Sequence, residues 1–267
     1  MTEIFGVIGY PVKHSLSPAM HNSAFRHLGY DGVYLPFEVK GDDLEVALTG
    51  AKALGVRGLN VTIPHKERAA ELFEQDKAVE EIGACNTIDL RRGRCYNTDV
   101  FGITKALEAA GIETGGLRVL VVGAGGAGKA CIYALRDDND VFVTNRTAGR
   151  GIEVARRFGV EFLSSDELEG RKFDLVVNAT PLGMRGFPAE LPVPEVVLTS
   201  KPAVFDMVYN PPETPLIRKA REYGCRVASG VDMLVYQGAR AFEIFTGLEA
   251  PVEVMKKAVL SELKKLA

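Results

Sequence analysis

The sequence predicts an α/β protein of two domains, each with a mostly parallel sheet, and three observations lead to this fold class. Short apolar runs alternate with helical patterns from Ile4 to Val61. A second alternation of the same kind runs from Leu117 to Tyr223. Between them lies a polar, glycine-rich stretch at 113–116, which is typical of a boundary between domains. Strands that alternate with helices in this way form βα units around a parallel sheet.

The first series predicts three strands, two helices and a β-hairpin. The strands are expected at 4–8, 33–39 and 57–63, the helices from Pro18 and Asp42, and the hairpin strands at 86–90 and 94–97. Ser17 predicts the first helix start, because its hydroxyl can cap free N–H groups and Pro18 lacks the donor that a first turn leaves unpaired. Gly29 suits the end of that helix. Asp99 follows the hairpin and precedes a predicted helix at 100–110.

The second series has the pattern of a Rossmann-like domain. Its strands are expected at 118–122, 141–144, 160–163, 173–177 and 204–207, and its helices from Gly126, from Ala148 and over 214–223. Apolar residues then recur every three or four positions in a closing amphipathic helix. That stripe consists of Val252, Met255, Val259, Leu263 and Leu266. We assign residues 110–237 to the Rossmann-like domain and residues 1–109, completed by helices at about 238–267, to the other.

The bulk composition excludes several classes of partner. The chain has 32 basic and 35 acidic side chains and a net charge of −3, so it lacks the one-signed surface that nucleic acids require. No apolar run reaches the roughly 18 to 20 residues that span a bilayer, and the amino terminus lacks a signal-peptide pattern. We expect a soluble, cytoplasmic protein with reduced thiols, either a monomer or a homodimer.

No metal is expected, because neither the cysteines nor the histidines have metal-ligand spacing. These residues are Cys85, Cys95, Cys131 and Cys225, and His14, His21, His27 and His65.

A glycine-rich motif at 123–128 predicts a dinucleotide site. It follows the apolar run 120–122 directly and opens a helical stretch, as the mechanism of the G-x-G-x-x-G motif requires. Gly123 permits the tight turn, Gly125 lets backbone approach a pyrophosphate, and Gly128 lets helix and strand pack closely. The helix N-terminus supplies free N–H donors and positive partial charge. The candidate contacts are Gly123, Ala124, Gly125, Gly126, Ala127 and Gly128.

The residues after the next predicted strand favour NADP over NAD. NAD enzymes usually have a carboxylate there, whereas this chain has Asn145, Arg146 and Thr147. Arg146 can pair with a 2′-phosphate and stack on adenine, and Arg150 adds positive charge. The alternative is that Arg146 is a solvated residue that opens the next helix.

Seven motifs, in order along essentially the whole chain, resemble the shikimate dehydrogenase family. They are Gly9-Tyr-Pro-Val-Lys-His-Ser15-Leu-Ser17-Pro, Asn60-Val-Thr62-Ile-Pro-His-Lys66, Gly83-Ala-Cys-Asn86-Thr, Asn97-Thr-Asp99, Asn178-Ala-Thr180-Pro-Leu-Gly183-Met, Asp206-Met-Val-Tyr209 and Gly230-Val-Asp-Met233-Leu-Val-Tyr-Gln237. The resemblance implies an NADP-dependent oxidoreductase of the shikimate pathway of aromatic amino-acid biosynthesis, which interconverts 3-dehydroshikimate and shikimate. It also implies a substrate-binding N-terminal domain and an active site in a cleft that closes between the domains.

The same resemblance implies a role for each site residue. Ser15, Ser17 and Tyr209 are expected to hold the substrate carboxylate. Lys66 and Asp99 are expected to be the acid–base pair, although the sequence does not decide which of them carries the proton at the hydride step. Residues expected around the hydroxyls are Asn60, Thr62, Lys66, Asn86, Asp99 and Gln237, and further cofactor contacts are Thr180, Met207, Gly230 and Met233.

Two positions depart from the family pattern, and two other functions compete. Asp232 stands where glycine is common and could disturb the loop beside the nicotinamide, because aspartate is less permissive at positive φ. Phe245 stands where tryptophan is common and indicates a packing change. The competing functions are a quinate/shikimate dehydrogenase that accepts NAD, against which Arg146 argues, and a non-catalytic sensor, against which the intact pair argues.

Overall fold

The computed structural model describes residues 1–266. Its contacts divide the chain into two compact units. Unit 1 comprises Met1–Asp99 and Val235–Leu266, and unit 2 comprises Val100–Leu234. Both are α/β, which confirms the predicted fold class. Among the described residues, no helix is both long and apolar enough to cross a bilayer.

Unit 1 is built on a six-stranded mixed sheet with strand order β2-β1-β3-β5-β6-β4. Its strands are β1 (Glu3–Gly9), β2 (Gly32–Glu38), β3 (Gly58–Val61), β4 (Glu74–Gln75), β5 (Thr87–Asp89) and β6 (Arg94–Tyr96). Its helices are α1 (Ser17–Leu28), α2 (Leu44–Ala53), α3 (Lys66–Ala70) and α4 (Lys77–Ile82). Strands β1, β2 and β3 are parallel, while β5 pairs antiparallel with β3 and β6. The predicted hairpin is therefore confirmed, with shorter strands.

An aromatic cluster fills one side of the unit 1 sheet. Phe5 packs against Phe25 and Phe245, with ring centroids 5.3 and 5.5 Å apart. Phe245 is 1% exposed, and a Cβ on Gly58 would lie 2.3 Å from its ring, so phenylalanine fills this space completely. This agrees with the packing change inferred for Phe245.

Unit 2 is built on a six-stranded parallel sheet with strand order β12-β11-β10-β7-β8-β9. Its strands are β7 (Arg118–Val122), β8 (Asp140–Thr144), β9 (Glu161–Phe162), β10 (Leu175–Asn178), β11 (Ala203–Asp206) and β12 (Val227–Ser229). The helices that complete the chain are α5 (Asp99–Ala109), α6 (Gly126–Leu135), α7 (Ala148–Phe158), α8 (Pro215–Glu222), α9 (Gly230–Thr246) and α10 (Val252–Leu266). The first strand is central and the order reverses beside it, as in the Rossmann fold.

Two local predictions about helices are wrong, and one helix was not predicted. Ser17 does not cap α1: it is the first helical residue, and its own N–H is 3.3 Å from Ser15 Oγ. Asp232 lies inside α9, so the concern about positive φ was wrong. Helix α4 was not predicted, although Asp76 caps its first turn.

Candidate active site

Two loops that follow neighbouring parallel strands carry predicted substrate residues of unit 1. Strand β1 lies between β2 and β3, which makes its carboxyl end a topological switch point. The loop after β1 leads to Ser15 and Ser17, and the loop after β3 leads to Thr62 and Lys66. The Thr62 N–H donates to the Ile8 carbonyl at 3.0 Å, which ties the second loop to β1. Open α/β sheets bind ligands at such positions.

Lys66 and Asp99 form an ion pair at this edge. Lys66 Nζ lies 2.6 Å from Asp99 Oδ2. The lysine side chain is 21% exposed and the aspartate side chain 7%, so a small molecule could reach the ammonium group while the carboxylate is largely screened from water. Lys66 is the first residue of α3, and its carbonyl accepts the Cys85 N–H at 2.9 Å. The backbone therefore holds the start of α3 beside the residue that precedes Asn86.

Asn86 orients Asp99 and is fully engaged within the chain. Its Nδ2 donates to Asp99 Oδ1 at 2.8 Å and to Gln237 Oε1 at 3.3 Å. Its Oδ1 accepts the Thr98 N–H at 2.8 Å and the Thr87 hydroxyl at 3.0 Å. Both donors and both acceptor positions of the amide are thus used, which fixes the carboxylate that faces Lys66.

Asn60 is also held by neighbours on both sides of its amide. Its Nδ2 donates to the Asn86 carbonyl at 3.1 Å and to Thr87 Oγ1 at 3.0 Å. Its Oδ1 accepts the Tyr34 hydroxyl at 2.7 Å. Asn60 is 7% exposed, and only one acceptor position on Oδ1 remains for a further partner.

The glycine loop of unit 2 has the geometry that its motif predicts. Gly123 adopts φ +113°, in the region that favours glycine, and a Cβ there would meet the Ala179 carbonyl oxygen at 3.0 Å. A Cβ on Gly128 would lie 2.0 Å from the Gly123 carbonyl oxygen, so helix and loop touch through backbone. A Cβ on Gly125 would meet nothing within 4 Å. The surface above Gly125 is open, as an approaching pyrophosphate needs.

The predicted cofactor residues line the carboxyl ends of consecutive strands in unit 2. The Ala124 N–H donates to Asn145 Oδ1 at 3.2 Å, which joins the loops after β7 and β8. A Cβ on Gly230 would lie 2.6 Å from the Met207 carbonyl oxygen, so the start of α9 packs on the loop after β11. Met233 follows on α9 and is buried. The predicted cofactor residues therefore form a row along one edge of the sheet, and the β7/β10 switch point lies at the centre of this row.

A buried network supports the Thr180 and Met207 part of this row. Asp206 is fully buried and accepts Asn178 Nδ2 at 2.9 Å and Thr214 Oγ1 at 2.5 Å. Asn178 Oδ1 in turn accepts the Thr180 hydroxyl at 2.7 Å, and the Met207 N–H donates to the Asn178 carbonyl at 3.0 Å. Burial raises the pKa of Asp206 above its usual value, and the three donors around it partly offset this.

Arg146 and Arg150 are exposed at the start of α7, where they follow β8. Neither forms an ion pair with any residue of 1–266. Both therefore keep their guanidinium groups available for an anionic ligand. Nowhere in the described part of the chain do three or more histidine, cysteine or acidic side chains gather as a metal site would require.

Two family descriptions match the sequence. Residues 7–88 match the shikimate dehydrogenase substrate binding domain, and residues 230–260 match the shikimate 5′-dehydrogenase C-terminal domain. The shikimate dehydrogenase (NADP⁺) of Archaeoglobus fulgidus is 55% identical over 267 residues, with 97% of this chain and 98% of that protein covered. The chain belongs to the shikimate dehydrogenase family. The predicted family is confirmed.

Solved shikimate dehydrogenases share the fold. One crystallised with NADP⁺ superposes with a TM-score of 0.93 at 40% identity, covering 98% of this chain and 96% of that one. The enzyme of Thermus thermophilus, solved with NADP(H) and shikimate, gives 0.87 at 37% identity, covering 98% and 100%.

The motifs shared with the shikimate dehydrogenase family led to Asn60, Asn86 and Asp99 but not to the residues that orient them. Thr98 lies inside a recognised motif, yet its role depends on a contact with Asn86 that spacing does not reveal. Tyr34 gave one usable signal, a polar hydroxyl at a buried position of β2. Tyr209 lies in unit 2 beyond β11, and burial raises its pKa.

Proposed function

We propose that this chain catalyses the reversible NADPH-dependent reduction of 3-dehydroshikimate to shikimate, a step of aromatic amino-acid biosynthesis. The observation that carries the proposal is the Lys66–Asp99 ion pair at 2.6 Å, in the two motifs where the family resemblance puts the acid–base pair. Family membership and the 55% identity to an NADP-dependent shikimate dehydrogenase support the same activity.

The proposed chemical duty of the pair is to handle one proton. When bound, the nicotinamide cofactor supplies or accepts the hydride. During reduction, the oxygen of the substrate carbonyl gains negative charge and needs a proton, and Lys66 Nζ is the group that reaches it. A protonated lysine has three donors, of which the bond to Asp99 uses one, so two remain for substrate. Asp99 orients the amine, while Asn86 holds Asp99.

The polar residues of the shared motifs suit a polyol carboxylate. In this proposal Ser15, Ser17 and Tyr209 hold the carboxylate, since hydroxyl groups donate well to anions. Asn60, Thr62 and Gln237 contact ring hydroxyls. Asn86 acts mainly through Asp99, because its amide is already saturated within the chain.

We further propose that unit 2 holds NADP. Its residues fit the cofactor in two respects: the open backbone surface at Gly125 leaves room for a pyrophosphate, and α6 starts there with free N–H groups. Arg146 and Arg150 would pair with the 2′-phosphate, which NAD lacks. Thr180, Met207, Gly230 and Met233 would lie toward the nicotinamide.

Initial-rate kinetics with two cofactors and two substrates test the proposal. The purified protein is assayed with NADP and NAD, each with shikimate and with quinate. We expect kcat/KM to be highest for NADP with shikimate, by at least about tenfold over either single replacement, because each replacement removes or adds one polar group at a fitted site. A kcat/KM with NAD equal to that with NADP, or with quinate equal to that with shikimate, would contradict the assigned specificity. An absence of turnover with shikimate would contradict the proposed function itself.

A further inference from the structure

Tyr34 is a buried tyrosine that supports Asn60, one of the proposed substrate contacts. Its side chain is completely buried, and its hydroxyl donates to Asn60 Oδ1 at 2.7 Å. The Ser17 side chain neighbours the Tyr34 hydroxyl and partly offsets the rise in pKa that burial causes. Burial raises the pKa of Tyr34 well above its usual value, so the hydroxyl keeps its proton and remains a donor.

The surroundings hold Tyr34 in place through both backbone and ring. Asn22 makes two hydrogen bonds of 2.8 Å to its backbone, donating to the Tyr34 carbonyl and accepting the Tyr34 N–H. The His21 ring stacks on the Tyr34 ring, with centroids 4.3 Å apart and planes 4° from parallel. His21 itself is completely buried, and burial lowers its pKa to about 3, so the stacked ring is neutral. A tyrosine clamped in this way has little freedom to redirect its hydroxyl.

This contact determines what Asn60 offers to a ligand. Asparagine normally presents a donor on one side and an acceptor on the other, and its amide can turn over to exchange them. Here both N–H groups of Asn60 are taken, by the Asn86 carbonyl and by Thr87, and the Tyr34 hydroxyl can only be accepted by oxygen. The amide is therefore locked with Oδ1 as its sole available group.

We propose that Tyr34 is a positioning and specificity residue: by holding Asn60 Oδ1 in place, it makes the site accept a hydrogen bond from one substrate hydroxyl and reject ligands that lack it. The inference rests on the proposed function, because it assumes that shikimate binds at Asn60. In this proposal Tyr34 itself does not contact the substrate.

Tyr34→Phe tests this with the loss of a single oxygen atom, and the stacked ring is retained. The matched control is Tyr30→Phe, which removes the same atom from a tyrosine of unit 1 that bonds to Glu3 instead. KM and kcat are measured for shikimate, 4-deoxyshikimate and 5-deoxyshikimate at saturating NADP, and KM for NADP is measured with shikimate. The thermal unfolding midpoint of each protein is measured first, and all assays are run at one temperature below the lowest of these midpoints.

We expect the wild type to discriminate against one of the two deoxy compounds by about tenfold or more in kcat/KM, because a site built to bond a hydroxyl rejects its absence. Tyr34→Phe should reduce that discrimination at least about fivefold and leave the other compound and the KM for NADP within about twofold, since Asn60 Oδ1 loses the donor that holds it in line with the substrate hydroxyl. Tyr30→Phe should behave as wild type. A merely structural role would lower all activities together and leave the discrimination intact, which would overturn the proposal.

A second variant covers the case in which Tyr34→Phe does not fold. Asn60→Ala removes the acceptor itself and should abolish discrimination against the same deoxy compound. Unchanged discrimination in Asn60→Ala would overturn the proposal on its own. Failure of the proposed function is distinct from both outcomes, because the wild type and Tyr30→Phe would then not oxidise shikimate at all.

Discussion

Replacing Gly128 with alanine puts a methyl group where the structure has backbone. The new Cβ would lie 2.0 Å from the Gly123 carbonyl oxygen and 2.8 Å from its carbon. An ordinary carbon–oxygen contact is about 3.3 Å, so loop and helix must separate by roughly 1.3 Å. Gly125 provides the matched control on the same loop, because an alanine Cβ there meets nothing within 4 Å.

The cost of Gly128→Ala follows from these contacts. Overpacking against rigid backbone costs roughly 3 kcal/mol, and alanine returns up to about 1 kcal/mol in helix propensity. The net loss of about 2 kcal/mol should lower Tm by roughly 4 to 8 °C. It should also raise the Kd for NADPH about tenfold or more, because the cofactor requires the undistorted loop. Gly125→Ala should keep Tm within about 2 °C and still weaken NADPH binding, because the methyl group stands where the pyrophosphate approaches.

Differential scanning calorimetry and titration of NADPH fluorescence measure the two quantities. A Gly128→Ala protein with wild-type Tm and wild-type Kd would refute the packing argument. Strong NADPH binding by Gly125→Ala, with the protein folded, would refute the assignment of this loop to the pyrophosphate.

Three further predictions concern charge. Arg146→Asp should raise KM for NADP at least about tenfold while KM for NAD falls, as steady-state kinetics with both cofactors would reveal; parallel changes would contradict the 2′-phosphate role. Burial lowers the pKa of His21 from 6.5 to about 3, so the wild type should lose on the order of 4 kcal/mol of unfolding free energy as pH falls through that window, and His21→Phe should lose less in urea titrations. Burial raises the pKa of Asp206 above 3.8, so its protonated form stabilises the fold at low pH and this contribution is lost as pH rises. Asp206→Asn should therefore gain unfolding free energy relative to wild type from pH 4 upward. A difference in unfolding free energy between the two proteins that does not change with pH would contradict this.

The fold could be predicted from sequence where local pattern and tertiary structure agree. The strand at 118–122 and the helix from Gly126 were found because an apolar run, a glycine motif and a helical pattern coincide. Gly29 was correctly assigned as a helix end, and it adopts the left-handed conformation there. Ser17 illustrates the limit, because its hydroxyl could serve a helix cap or a distant partner, and in the structure it caps nothing and neighbours Tyr34.

Some residues of the candidate site could likewise be predicted from the sequence, and others could not. The family resemblance predicted Lys66 and Asp99 as the acid–base pair, and a lysine beside an aspartate suits proton transfer. The supporting contacts depend on residues far apart in sequence that only the folded sheet brings together. Asn86 meets Gln237 at 3.3 Å across 151 positions, and Tyr34 meets Asn60 across 26. No local pattern could have predicted that Asn86 is saturated while Asn60 keeps one acceptor.

The most direct test of the proposed chemistry is the turnover number of Lys66→Ala with saturating NADP and shikimate. We expect kcat to fall at least about a hundredfold, because general acid–base catalysis contributes 10² or more, while Kd for NADPH and the circular dichroism spectrum stay unchanged. Lys52→Ala, which removes an exposed lysine of α2, should retain wild-type kcat. A Lys66→Ala enzyme with kcat within about threefold of wild type would contradict the assignment of the proton to this pair.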